Sequence, residues 1–176
     1  VQLSPAAYLA QFAASQKIGA GLKSSYEASE AVAPFVAAIA GRVKSFEKNS
    51  GEKESGHDRE EKKEKAEQHE PASPLEKFQE KVGAIFAGNT DSPGFGAVNR
   101  DLARLSYMVQ SGDAAPSAPL LASLEESCSG LSAAIEKWRT VAQSLPEVNA
   151  FLAQQKLAPL PAPPLLTISP GAACTP

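Results

Sequence analysis

The sequence predicts an all-α protein: an up-and-down antiparallel four-helix bundle with a short fifth helix and an extended Pro-rich C-terminal tail. Apolar residues make up 43% of the 176 residues and aromatic residues only 6%; most of the apolar residues are the strong helix formers alanine and leucine. No run alternates strictly between apolar and polar residues, so a sheet is not expected. Instead, apolar residues in the second half recur every three or four positions, as one stripe of a helix requires.

That stripe predicts the longest helix of the bundle, over residues 117–144 and about 40 Å long. A helix with such a stripe must bury it against other helices. Leu145-Pro146 is expected to break the chain, and a short fifth helix then runs from Pro146 to Gln155. The stripe consists of Leu121, Leu124, Cys128, Leu131, Ile135, Trp138 and Ala142.

The first helix is predicted from Ser4 to about Phe46, because Ser4 is a good N-cap and Pro5 suits the first helical position. Pro34 should kink or divide it, and the polar stretch 48–51 should end it. The large apolar residues that recur at mostly helical spacing are Tyr8, Leu9, Phe12, Leu22, Tyr26, Val32, Phe35, Val36, Ile39, Val43 and Phe46.

Residues 48–72 form a charged insert between the first two helices of a bundle domain that covers residues 1–157. The insert has no large apolar residue from Glu52 to Glu70, so we expect a solvated loop or an exposed helix, with a helical turn over 59–68. The two histidines, His57 and His69, lie here beside acidic residues. A solvated acidic segment lacks the fixed geometry of a metal site, so no metal ligand is predicted.

Two further helices follow the insert. Ser73-Pro74-Leu75-Glu76 is a capping box that opens the second helix, with Leu75, Phe78, Val82, Ile85 and Phe86 on one face. Residues 88–94 break the chain. The third helix is predicted over about 96–110, with Val98, Leu102, Leu105 and Met108 facing inward.

Two cysteines allow two interpretations. Cys128 lies on the apolar stripe, where a buried free thiol is the common state. Cys174 lies in the tail, residues 158–176, and a disulfide with Cys128 would fold this tail back over the helix in an oxidising compartment. The sequence leaves both open.

No constellation of catalytic residues is recognisable, so the protein is predicted not to be an enzyme and to hold no cofactor. No histidine lies on an apolar face to act as a base, and Gly94-Phe95-Gly96 lacks the strand that a phosphate loop requires. Glu125, Glu126 and Glu136 lie off the stripe without a Glu-x-x-His pair, which excludes a di-metal bundle. The Trp138 indole N–H is expected to find a hydrogen-bond partner at the bundle edge, and the Asn149 amide is expected to bond to the backbone at the chain break.

Charge, hydropathy and the first residue bear on whether the protein binds nucleic acid, spans a membrane or is exported. Seventeen basic and twenty acidic residues give a net charge of -3, with no basic face for nucleic acid. The longest uncharged stretch, 157–176, contains six prolines and cannot be a membrane-spanning helix. The chain does not begin with Met, which fits an N-terminus processed by removal of a signal peptide.

Several segments together carry a family resemblance. They are Ala97-Val98-Asn99-Arg100-Asp101-Leu102-Ala103-Arg104-Leu105, Val109 to Pro116, Trp138-Arg139, Leu145 to Leu152 and Leu157-Ala158-Pro159-Leu160. The chain resembles the C-terminal helical module of bacterial exported sortilin-like proteins that carry BNR/Asp-box β-propellers. The resemblance implies an exported helical module that acts as a spacer or docking element. The sequence departs from the family in Pro34, in the charged insert, in the tail with Cys174 and in lacking the propeller, so no propeller activity is carried over.

These observations predict a non-enzymatic structural or interaction protein, an accessory subunit or docking module of a larger bacterial extracytoplasmic or membrane-associated assembly. It is expected in the periplasm or outside the cell, reaching a membrane only through protein partners. The alternative is a helical C-terminal fragment of a larger propeller-containing glycan-binding or hydrolase-like protein.

The Pro-rich tail is the candidate contact region, because a preformed extended backbone can lie along a partner's groove. The competing interpretation is that the tail only covers its own bundle. The candidate partner-binding residues are Leu160, Pro161, Pro163, Pro164, Leu165, Leu166 and Ile168.

Overall fold

The computed structural model describes residues 4–54, 73–89, 92–111 and 114–176, and within them all regular secondary structure is helical. The predicted all-α class is confirmed. The insert residues 55–72, with His57 and His69 and the expected helical turn over 59–68, lie outside the described residues. The helices are α1 (Pro5–Glu54), α2 (Pro74–Ala87), α3 (Phe95–Gln110), α4 (Ala118–Arg139), α5 (Val141–Gln154) and a short 3-10 helix, Pro170–Ala172.

Helix α1 is longer than predicted, and it is one helix of 50 residues. Pro34 does not divide it. The proline lies on the exposed face, where water can reach the Glu30 carbonyl that loses its donor. The predicted end at 48–51 is also wrong, because the helix continues through Gly51 to Glu54. A single glycine costs only about 1 kcal/mol in a helix, and Glu and Lys favour it.

The buried stripe of α1 is a seam of small and large residues. Its steps alternate between four and three as far as Ile39, and a second step of four then leads to Val43. Residues at such steps lie along one face of a helix, where they can pack against neighbouring helices. Tyr8, Leu9, Phe12 and Tyr26 are not on the seam and are 57–70% exposed, so their expected place among the packed residues is corrected. The seam consists of Ala14, Ile18, Gly21, Ser25, Ala28, Val32, Phe35, Ile39 and Val43.

The capping box at the start of α2 is confirmed. The Glu76 backbone N–H donates to Ser73 Oγ at 3.2 Å, and the Ser73 backbone N–H donates to Glu76 Oε2 at 2.7 Å. The backbone N–H of Ser73, and then its side chain, lower the pKa of the Glu76 carboxyl. The two groups therefore satisfy each other at the helix N-terminus.

Replacing Ser73 by alanine should lower the free energy of unfolding by about 1 kcal/mol, because an N-terminal donor of α2 loses its acceptor. The pKa of Glu76 is lower in the folded state than in the unfolded state, so its carboxylate stabilises the fold fully at pH values above its unfolded-state pKa. This stabilisation is lost as the pH falls through the folded-state pKa. Urea unfolding followed by circular dichroism, repeated from neutral to acidic pH, measures both effects.

The matched control is Ser129→Ala, at an exposed position inside α4. It should change the unfolding free energy by less than about 0.5 kcal/mol. Equal effects of Ser73→Ala and Ser129→Ala would contradict the role given to the cap.

Helices α2 and α3 meet at a tight junction. A Cβ atom on Gly94 would lie 2.3 Å from the Gly88 backbone nitrogen, so only glycine permits this approach. In α3 the buried residues are Phe95, Val98, Leu102, Leu105 and Val109. Met108, predicted to face inward, is 49% exposed, because the step of four after Leu105 places Val109 on the stripe instead.

The long predicted helix over 117–144 is in fact two helices, with the break at Thr140 rather than at Leu145-Pro146. The Thr140 hydroxyl donates to the Lys137 carbonyl at 2.8 Å and so competes with the helical ladder. Pro146 lies inside α5. Leu124, Cys128, Leu131, Ile135 and Trp138 are buried as predicted. At the two ends of the stripe the prediction is wrong: Leu121 and Ala142 are exposed, and Leu120 and Val141 are buried in their place.

In the half of the molecule that contains the start of α1, this helix packs against α3 and α4. Gln11 Nε2 donates to the Val109 carbonyl at 2.7 Å, and Asn99 Nδ2 donates to Ser25 Oγ at 2.8 Å. Residue numbers rise on α1 as they fall on α3, so the two helices are antiparallel. Lys17 pairs with Glu125 on α4, and Phe35 contacts Trp138 further along, so α1 and α4 are parallel.

The other half contains α2, α5 and the rest of α1. The Phe35 ring lies 6.2 Å from Phe78 of α2, and the Phe46 ring lies 5.3 Å from Phe151 of α5. Thus α2 and α3 lie one after the other along α1 and run antiparallel to it, whereas α4 and α5 lie one after the other and run parallel to it. The described helices form three rods side by side, and the predicted four-helix arrangement is not confirmed.

Candidate functional site

The C-terminal tail lies along the bundle, in the groove between α1 and the α4–α5 rod. Its contacts with the rod run in reverse order, so the tail is antiparallel to α4 and α5 and lies beside the three helical rods. On the α1 side, Arg42 Nε donates to the Ala158 carbonyl at 2.7 Å. The contacts with the rod are Leu160 with Asn149, Pro164 with Trp138, Pro170 with Ser132, and Cys174 with Cys128.

Asn149 holds the beginning of the tail. Its Oδ1 accepts from the Leu160 backbone N–H at 2.8 Å, and its Nδ2 donates to the Leu160 carbonyl at 3.3 Å. One side-chain amide therefore satisfies both backbone groups of a tail residue, as a neighbouring strand would. The Leu160 side chain is 3% exposed and belongs to the core. The sequence indicated a backbone partner for Asn149 but not which residue it is.

Trp138 holds the middle of the tail. Its indole N–H donates to the Pro164 carbonyl at 2.9 Å, and its ring packs edge-on against Phe35 at 5.8 Å. The indole is 3% exposed, so its ring is part of the core while its N–H reaches the tail. This agrees with the usual behaviour of buried tryptophan, whose single donor finds a partner.

A disulfide between Cys128 and Cys174 holds the end of the tail. The two Cα atoms are 5.8 Å apart, and each cysteine is 8% exposed. A Cβ atom on Gly21 of α1 would lie 2.7 Å from Cys174 Sγ. The absence of a side chain at this seam position therefore lets the tail reach α1 as well as α4.

The candidate partner-binding residues divide into two groups. Leu160 is buried, and Pro163, Pro164, Leu166 and Ile168 are half-buried, with Leu166 and Ile168 packed against the core. Pro161 and Leu165 are exposed, and Leu165 has 93% of its surface in solvent. Five of these seven residues therefore pack towards the bundle, and Leu165 is the large apolar side chain that the tail presents outward.

An open groove of about 450 Å³ lies where the end of the tail meets the outer face of α1. Its lining includes Lys23 and Glu27, which form an ion pair at 3.9 Å, and Ile168 of the tail. The described residues contain no group of three or more His, Cys, Asp or Glu side chains able to hold a metal ion. Its lining also includes Ser24 and Thr175, and the Thr175 hydroxyl donates to the Gly171 carbonyl at 3.4 Å.

None of the helices described above combines the length and the apolar character that crossing a bilayer would take. Comparison of the chain with models of protein families, with curated proteins and with solved structures finds no match. The protein is therefore described by its structure: it is an all-α chain whose extended tail is fixed to its own helices by Asn149, Trp138 and the Cys128–Cys174 disulfide.

Proposed function

We propose that this chain is a non-enzymatic interaction protein, an accessory subunit or docking module of a larger bacterial extracytoplasmic or membrane-associated assembly. The observation that supports this best is the tail, which is fixed on both sides of Leu165 while the Leu165 side chain is 93% exposed. Pro164 is held by Trp138 on one side, and Cys174 is held by the disulfide on the other.

The fixed tail favours binding for a thermodynamic reason. A disordered segment loses conformational freedom when it binds, which reduces its affinity. Here the bundle already holds the backbone around Leu165 in place, and proline restricts the preceding residues. The Leu165 side chain can therefore enter an apolar pocket of a protein partner at a lower entropic cost than a free peptide.

The disulfide supports the proposed location in the periplasm or outside the cell. Disulfides persist in oxidising compartments and are rare in the reducing cytosol. Both cysteines of the chain are in this bond. The resemblance to exported sortilin-like proteins points to the same location.

Replacing Leu165 by aspartate should remove the partner from the natively purified protein without changing the fold, because Leu165 contributes almost no buried surface. The measurement is native purification, with identification of co-purifying chains by mass spectrometry. Leu165→Met, which keeps an apolar side chain of similar volume, should retain the same chains.

Retention of every co-purifying chain by Leu165→Asp would contradict the proposal. Deletion of the whole tail is a weaker test, because Leu160, Ala173 and Cys174 belong to the core and their loss would destabilise the bundle. Circular dichroism of both Leu165 variants checks that the helical content is unchanged.

A second candidate is that the chain is the helical C-terminal part of a larger propeller-containing glycan-binding or hydrolase-like protein. It rests on the family resemblance carried by segments such as 145–152 and 157–160. The intact mass of the protein isolated from its source separates the candidates: a mass well above 18.4 kDa favours the larger protein.

A further inference from the structure

Large apolar side chains are exposed together at one end of the bundle. They belong to the first turns of α1, the last turns of α3 and the start of α4. Their exposed fractions range from 41% to 74%. They are Tyr8, Leu9, Phe12, Tyr107, Met108 and Leu121.

Contacts between the helices set these residues at nearly the same level along the bundle axis. Gln11 lies level with Val109, and Lys17 lies level with Glu125. Since an α-helix rises 1.5 Å per residue, these pairs place all six side chains within about 8 Å along the axis. They form a narrow belt around this end.

The described residues that build this end carry no charged side chain. The described residues 4–16, 105–111 and 114–124, which build it, include no Lys, Arg, His, Asp or Glu, although 21% of the chain is charged. The nearest charged residues of the described helices form ion pairs: Lys17 of α1 with Glu125 of α4, and Arg104 of α3 with Asp101 at 3.9 Å. We call these three described ranges the uncharged end.

The belt faces outward in several directions. Tyr107 lies on the side of α3 opposite the buried Leu105 and Val109, whereas Tyr8 and Phe12 project from α1, a different rod. One flat protein surface could cover only part of such a belt. A fluid lipid interface surrounds an inserted end from all sides and so can cover the whole belt.

We propose that the uncharged end inserts into the interface of a lipid bilayer. A belt about 8 Å deep matches the 5–10 Å to which interfacial protein segments are buried. Tyr8 and Tyr107 suit this depth, because tyrosine places its ring among acyl chains and its hydroxyl among headgroups. This goes beyond the proposed function and differs from the sequence-based expectation that only protein partners bring the chain to a membrane.

The test is flotation of the full chain with vesicles of pure phosphatidylcholine and of phosphatidylcholine mixed with phosphatidylglycerol. Because the uncharged end has no charge to be screened, we expect binding to both, with little dependence on salt. The double variant Leu9→Glu/Phe12→Glu should bind at least about tenfold more weakly, since two apolar side chains lose their burial. Circular dichroism verifies that it is folded.

Tyr26→Glu is the matched control. Tyr26 lies on the same helix as Tyr8 and is 60% exposed against 57% for Tyr8, but it is about 27 Å further along the axis. The Tyr26→Glu substitution should leave vesicle binding unchanged. If the glutamate variant of the belt is unstable, Leu9→Ser/Phe12→Ser replaces it.

A Phe12→Trp variant provides a direct readout. Its additional fluorescence, relative to that of the protein with Trp138 alone, should shift to the blue when vesicles are added. Leu165→Asp should float like the unchanged protein, so a failure of the tail proposal and a failure of this one are distinguishable.

Three outcomes would overturn the proposal. The first is that the unchanged protein does not float with either vesicle, including the case in which it self-associates in solution through the belt. The second is equal vesicle binding by the Leu9→Glu/Phe12→Glu variant. The third is an equal loss of binding in Tyr26→Glu.

Discussion

Replacing Trp138 by alanine should lower the free energy of unfolding by about 3–5 kcal/mol, the range for removing a large buried aromatic side chain. Trp138 is 3% exposed and packs edge-on against Phe35, which in turn packs edge-on against Phe78. The substitution therefore leaves a cavity where α1, α2 and α4 meet, and the Pro164 carbonyl loses its donor.

Trp138→Phe separates the two contributions. Phenylalanine keeps most of the apolar ring but has no N–H, so its main cost is the hydrogen bond to Pro164, about 1–3 kcal/mol. Because Pro164 is half-buried, we expect the lower part of that range. The alanine variant should thus be clearly less stable than the phenylalanine variant.

Guanidinium unfolding followed by far-UV circular dichroism measures both variants without relying on tryptophan fluorescence. Tyr107→Ala is the control, an aromatic deletion at a position that is 74% exposed, and it should change stability by less than about 0.5 kcal/mol. A cost below about 1 kcal/mol for Trp138→Ala would contradict the described packing.

Removing the disulfide with Cys128→Ala/Cys174→Ala should cost up to about 4 kcal/mol, the chain-entropy value for a closed loop of this size. The cysteines are separated by 46 residues, so the bond restricts a long stretch of the unfolded chain. The loop contains α5 and most of the tail.

The loss should be uneven along the tail. Asn149 and Trp138 still hold the residues near Leu160 and Pro164. Without the disulfide, the last turn, Pro170–Ala172, is held on α4 only by contacts such as the hydrogen bond that Ser132 Oγ donates to the Pro170 carbonyl. Amide exchange measured by mass spectrometry should therefore increase over 168–176 and change little at Leu160.

The same protein treated with a reductant serves as an independent check. Alkylation followed by intact-mass measurement confirms that both thiols are free. If the reduced and alkylated protein unfolds at the same denaturant concentration as the oxidised one, the stabilising role of the disulfide is refuted.

The sequence predicted the helical class and the local signals at helix starts. The capping box at Ser73 and the N-cap at Ser4, whose Oγ accepts from the Ala7 backbone N–H at 3.2 Å, depend on neighbouring residues alone, so they can be recognised without tertiary contacts. The middle of the α4 stripe was predicted for the same reason. Its first position was wrong because Leu120 and Leu121 are both leucine, and only packing decides which one is buried. Its last position was wrong because the helix breaks at Thr140.

The second half of the α1 seam, Val32 to Val43, was predicted, whereas the first half was missed because it is made mostly of small residues. Gly21, Ser25 and Ala28 are buried, while the larger Tyr26 beside them is exposed. The Ser25 hydroxyl is satisfied by Asn99 and by the Leu22 carbonyl, which makes a polar seam position possible. The spacing by four and three was present in the sequence, but it is visible only when small residues are counted.

The path of the tail depends on contacts that no local pattern contains. The chain reverses direction after α5 through Lys156, whose φ is 57°. This reversal brings Leu160 beside Asn149, 11 residues earlier. A proline-rich composition predicts an extended segment, whereas its docking site follows from how the three rods leave a groove open.

The length of α1 gives the molecule two unlike poles. Lys44, Glu47 and Lys48 are exposed towards the far end of α1, about 50 Å along the helix axis from Phe12. Because the exposed apolar residues and these charged residues lie towards opposite ends of α1, the protein as a whole is amphiphilic. Adsorbed at an oil–water or lipid–water boundary, it would orient α1 across that boundary, with the charged end in the aqueous phase.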